Sequence, residues 1–95
     1  MGFIRVVEVS VVNYEDPLRE TYVNTANIIH FAELSYADFC RKRLGQKIPA
    51  KISQNERFTE IYYGPHSRVQ SMIVLGPPEL IEHKIYAGAK KLLKG

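Results

Sequence analysis

A single cysteine, Cys40, leaves this chain unable to form an internal disulfide or a cysteine-based zinc site. That usage suits a reducing compartment. Tryptophan is absent, and only six glycines and five prolines are scattered along 95 residues, which excludes collagen-like and low-complexity chains. No glycine-rich phosphate loop is present. No apolar run approaches the roughly 20 residues of a membrane helix. The first such run, from Phe3, is interrupted early by Arg5 and Glu8, so no signal-peptide pattern is expected. A cytoplasmic location and no membrane partner are the expectation. The net charge of +3 is too small to argue for nucleic acid by itself.

What remains is an ordinary globular composition, 45% hydrophobic and 24% charged. The length predicts one domain, 1–95, with a thin core and no room for a large substrate-enclosing cleft.

Phe3 to Val12 is rich in β-branched residues and predicts a strand. Its apolar residues fall on both faces, so a central position is expected. Asn13 to Pro17 has turn chemistry, and Thr21 to Val23 restarts a strand. After a tight turn at 24–27, residues 28–44 read either as one helix or as a strand followed by a short helix; the second is preferred. Ser35 would cap that helix, Arg41, Lys42 and Arg43 would sit in its last turn, and Gly45 would end it. Residues 46–57 are polar and read as a loop. Phe58 to Tyr63 and Arg68 to Leu75 read as strands around a turn at Gly64 to Ser67, before Gly76-Pro77-Pro78 breaks the chain. In the last segment, 77–94, Ile81, Ile85, Ala89 and Leu92 form one apolar helical stripe. The expected fold is therefore α+β: an antiparallel sheet of four to five strands packed by one C-terminal helix, with a short helix and basic loop inserted at 35–56.

The leading Phe3-Ile4-Arg5-Val6 strand, Tyr22-Val23-Asn24 with Ile28, Thr59, Ile61 and Gly64, and the helical spacing of Pro78, Ile81 and Ile85 form a pattern across most of the chain. In these features the sequence resembles the small bacterial and phage proteins of the flagellar-regulon FlbD type. Against that pattern, residues 35–56 are an insertion. The resemblance implies a small regulatory role and brings no catalytic residues with it.

Basic residues concentrate in one stretch. Arg41, Lys42, Arg43, Lys47, Lys51 and Arg57 face only Glu56 within 41–57, whereas residues 1–40 carry an acidic excess. Such a stretch can bind phosphates, with Tyr36, Phe39 and Phe58 available for base stacking, or it can bind an acidic protein surface. It is equally a solvated helix end. Tyr62 and Tyr63 are adjacent and so point to opposite faces of their strand. A sheet face carrying a tyrosine, Met72 and Val74, joined by Tyr14, Tyr22 or Tyr86, would suit a protein interface or a homodimer.

Catalytic and metal signals are weak. Cys40 beside Phe39 on a short amphipathic helix reads as an inert half-buried thiol. His30, His66 and His83 have no ligand spacing, and Glu79 with His83 reads as a surface pair. Glu8 and Glu33 are the one candidate carboxylate pair across strands. No enzyme activity, metal or cofactor is expected. The expected function is a small regulatory or adaptor module that binds a protein, a reading that includes a phage- or mobile-element-type inhibitor. The alternative is a nucleic-acid-binding module using the basic stretch.

Overall fold

The computed structural model describes residues 2–10, 17–42, 52–65 and 67–94, the stretch 88–94 as backbone. The chain runs β1 (Phe3–Val9), β2 (Leu18–Asn24), a 3-10 turn (Thr25–Asn27), β3 (Ile28–Leu34), α1 (Tyr36–Lys42), β4 (Phe58–Tyr63), β5 (Gln70–Leu75) and α2 (Pro78–Lys94). The five strands form one antiparallel sheet in the order β2-β1-β5-β4-β3. This is the α+β architecture expected, and β1 is interior. Residues 28–42 are a strand followed by a helix, with the Ser35 hydroxyl accepting the Asp38 N–H at 3.1 Å as the cap. The turn at 13–16, Arg43, the Gly45 cap, Lys47, Lys51, His66 and the Ala89 and Leu92 side chains lie outside the described residues.

β2 and β3 occupy opposite edges of the sheet, yet only three residues join them. Four strand spacings make a flat sheet about 19 Å wide, whereas the four Cα steps from Asn24 to Ile28 span at most about 14 Å. The sheet must therefore curl until its edges approach one corner. Hydrogen bonds fasten that corner. The Thr25 N–H donates to the Gly2 carbonyl at 2.9 Å, and the Gly64 N–H to the Asn27 carbonyl at 3.0 Å.

Two cores result, one on each face. Inside the curl, Ile4, Val6, Val23, Ile61, Val74 and Ile81 form one cluster, with Phe31, Met72 and Ile85 packed against it. On the outer face, Val9, Leu34, Phe39, Ile52, Phe58 and Ile73 form the second. Phe39 of α1 stacks on Phe58 with ring centroids 4.6 Å apart. This double burial is the physical reason for apolar residues on both faces of β1. Ile52, within the stretch expected to be a polar loop, is buried and helps close the outer core.

The start of α2 is set by its neighbours. Gly76 takes a φ of 108°, a conformation that a side chain disfavours. Its N–H donates to the Arg57 carbonyl, and its own carbonyl accepts the Thr59 hydroxyl, both at 2.8 Å. Pro78 is the first helical residue, as its missing N–H permits. Among the described residues no helix is long and apolar enough to cross a membrane.

Candidate functional site

The described part of the basic stretch is neutralised by carboxylates. Arg41 bonds Asp38 three residues earlier at 2.9 Å. Lys42 lies 3.4 Å from Glu60. Arg57 donates through Nε and Nη2 to Glu33 at 3.0 and 2.7 Å, and through Nη2 to Glu79 at 3.0 Å. Its guanidinium thus joins β3 to the first turn of α2, holding the Glu33 carboxyl below the ordinary glutamate range, chiefly through the paired hydrogen bonds. Glu79 serves Arg57, not the pairing with His83 that the helical spacing suggested. Glu8 and Glu33 are not neighbours: β5 and β4 separate their strands, and Glu8 pairs with Arg19 at 2.8 Å. Arg43, Lys47 and Lys51 lie outside the described residues.

The tyrosines also part company. Tyr62 lies on the outer face, where its ring stacks on His30 at a centroid distance of 4.3 Å. Tyr63 pairs with Gln70 across the hairpin and belongs to the inner face. Met72, opposite Ile61, packs against the inner core, and Val74 is fully buried. Tyr62, Tyr63 and Met72 therefore do not form one patch. Alternation along β4 and β5 places Met72 and Val74 with Ile61, not with Tyr62.

Two arrangements went unseen in the sequence. The first surrounds Glu60, only 9% exposed on the outer face of β4. Its carboxylate accepts the Tyr62 hydroxyl at 2.9 Å and the Ser71 hydroxyl at 3.2 Å, with the Lys42 ammonium close by. Donation to a carboxylate raises the Tyr62 phenol above the ordinary tyrosine range. The network borders a cavity of about 430 Å³ lined by Glu8, Ser10, Lys42, Glu60, Ser71 and Ile73, among others. Serine, tyrosine, lysine and histidine gather here, but the Ser71 hydroxyl bonds the carboxylate directly. The network's donors converge on Glu60, which ties the end of α1 to β4 and β5. The signal was the i, i+2 spacing of Glu60 and Tyr62, which puts both on one strand face.

The second lies on the outer face of β1 and β2, beyond the reach of α1. Phe3 is 68% exposed and Tyr22 66%, the two most exposed large hydrophobic side chains among the described residues. The register sets Arg5 directly opposite Tyr22 and Phe3 opposite Asn24, so Phe3 and Tyr22 are diagonal neighbours flanking Arg5. Val7 and Glu20 continue this face. Among the described residues the Arg5 guanidinium and the Glu20 carboxylate carry no ion pair.

Cys40 is half-buried; burial first and the neighbouring Cys40 thiol second raise the Tyr36 phenol above its ordinary range. Among the described residues no three His, Cys, Asp or Glu side chains are placed to hold a metal ion. No protein-family model matches the chain, and comparison with curated proteins and with solved structures finds no significant similarity.

Proposed function

We propose that this protein is a small non-enzymatic binding module that docks a protein partner on the outer face of β1 and β2. The observation that carries the reading is the exposed trio Phe3, Arg5 and Tyr22, held side by side on two paired strands. Aromatic residues and arginine dominate the energetics of protein interfaces because they bury much area while losing few rotamers. The inner face of the same strands is anchored by Ile4, Val6 and Val23, so the trio is presented on a rigid support. A regulatory role, which the FlbD-type resemblance implies, belongs to this proposal.

The charge pattern favours a protein over a nucleic acid. A phosphate-binding surface needs cations free to replace counterions. Arg41, Lys42 and Arg57 are each engaged by carboxylates, and Arg57 by two.

The test is paired. Cross-linked complexes captured with the wild-type chain are compared with those captured by Phe3→Ala and by Tyr22→Ala, both at exposed positions where the fold should survive. Loss of the same complexes with both variants supports the reading; capture indifferent to both refutes it. In parallel, anisotropy against random DNA and RNA is followed across a salt titration. Binding that falls log-linearly with salt and vanishes on reversing Arg41, Lys42 and Arg43 would put nucleic acid in its place.

A further inference from the structure

The two edges of the sheet are not alike. β3 carries a register shift between Ile28 and His30, which breaks the regularity of that edge near its start. β2 has no such shift. Its seven residues, Leu18–Asn24, contain no proline and pair with β1 in unbroken register. Among the described residues β2 is thus a regular edge with no strand on its outer side, and its outward N–H and C=O groups can receive one more strand. Beside that edge, on one face, stand Tyr22 and two charges of opposite sign, Arg5 and Glu20, that have no ion-pair partner among the described residues.

From this we infer that the occupant of the β2 edge is a second copy of this chain, joined by antiparallel β2–β2 pairing about a two-fold axis through Thr21. This rests on the reading of the outer β1–β2 face as the docking surface, and names its partner.

The geometry limits the choices. Residues opposite one another in an antiparallel ladder share a face, so the numbers of opposed residues must sum to an even number. A register centred on Glu20 sets that carboxylate against its own copy, which is repulsive. A register centred on Tyr22 leaves Leu18 and Arg19 unpaired. Centring on Thr21 pairs all seven residues, with Leu18 opposite Asn24, Arg19 opposite Val23, Glu20 opposite Tyr22 and Thr21 opposite itself. No like charges meet.

The same register makes the surface self-complementary, as a two-fold interface requires. Arg5 lies beside Tyr22 on one copy, and Glu20 of the other copy lies on the far side of that same Tyr22. Arg5 and that Glu20 are two strand spacings apart, about 10 Å between Cα atoms. A guanidinium and a carboxylate close such a gap from both ends over the tyrosine ring. The contact occurs twice, once on each side of the axis.

The experiment is sedimentation velocity on the full chain over a concentration series, with four samples. The wild type is expected to dimerise. Arg5→Glu and Glu20→Arg each set like charges across the axis, and each alone should weaken the dimer at least about tenfold. An equimolar mixture of the two single variants should dimerise again, because each heterodimer then has opposite charges at both contacts. Hydrogen exchange at Leu18–Asn24 should slow with concentration in the wild type and in the mixture, and in neither single variant alone. Thermal melts of the single variants at low concentration check that the fold is intact.

A wild type that stays monomeric at every concentration overturns the inference. So does a dimer that tolerates both single variants, or a mixture that stays as monomeric as its components. None of these refutes the broader protein-binding reading, which falls only if Phe3→Ala and Tyr22→Ala leave partner capture unchanged.

Discussion

Removing the ring of Phe39 tests how α1 is held. α1 has seven residues, well short of the length at which an isolated helix is stable in water. Its place depends on the outer core, where Phe39 is fully buried and stacked on Phe58. Truncating a buried phenylalanine to alanine costs about 3–5 kcal/mol, a range that includes the loss of a stacked pair worth about 0.5–1.5 kcal/mol. A domain of 95 residues has a total stability of about 5–14 kcal/mol. Phe39→Ala should thus remove a large fraction of it. Urea unfolding followed by circular dichroism should show a midpoint lowered by about 1 M or more at an unchanged slope. Amides of α1 should exchange faster than those of the sheet. Phe39→Leu, which keeps most of the volume, should lose only about 1.5 kcal/mol. If Phe39→Ala costs less than about 1 kcal/mol while the α1 amides stay protected, the outer core is not what holds the helix.

Other perturbations separate the remaining contacts. Glu33 titrates below its ordinary range because of Arg57, so its contribution to stability is present above the unfolded-state glutamate pKa and is lost as pH falls through the lowered folded value. Arg57→Met should flatten that acid limb, as read by thermal melts across the acid range; an unchanged limb would remove the linkage. Glu60→Gln should return the Tyr62 phenol toward the ordinary tyrosine range in an ultraviolet titration, and a phenol still raised would show that burial, not the carboxylate, dominates. Glu60→Ala should cost about 1–3 kcal/mol, since the partly buried Tyr62 and Ser71 hydroxyls lose their acceptor. Gly64→Ala and Gly76→Ala should both destabilise by at least about 1 kcal/mol at their positive φ. Gly64→Ala should be the worse, because its new Cβ would lie 2.9 Å from a backbone oxygen of Arg68, whereas at Gly76 the obstacle is the movable tip of Leu80. Equal melting temperatures for the two would contradict that difference.

Much of the fold was legible because it rests on local chemistry. β-branched runs, turn residues and helical stripes act over a few neighbours, so strand–strand–strand–helix–strand–strand–helix could be read in order. Apolar residues on both faces of the stretch from Phe3 to Val12 implied a central strand, and the strand Phe3–Val9 is interior. The Ser35 cap and Pro78 at the first turn of α2 are equally local. Length led to the expectation of one domain, and the single cysteine ruled out an internal disulfide.

The rest depends on which strand faces which. Charge counting along 41–57 found a basic stretch, but Arg57 meets Glu33 and Glu79 only because β3 and α2 converge on it from distant parts of the chain. Alternation assigns each residue to one of two faces and cannot say which face lies inside the curl. Met72 and Val74 therefore looked like surface residues, yet Val74 is buried and Met72 packs against the inner core, while Phe3, at the start of the same apolar strand as Ile4 and Val6, is open to solvent. Ile52 shows no periodicity in its polar stretch, and burial came from the outer core it completes. Strand order, which puts β2 and β3 at opposite edges with a three-residue link, forces the sheet to curl; it also leaves β2 as the open edge beside Phe3, Arg5 and Tyr22. Sequence neighbours set each element's type, because propensity and turn chemistry are short-range. Long-range pairing alone decided which side chains were buried, neutralised or left facing solvent.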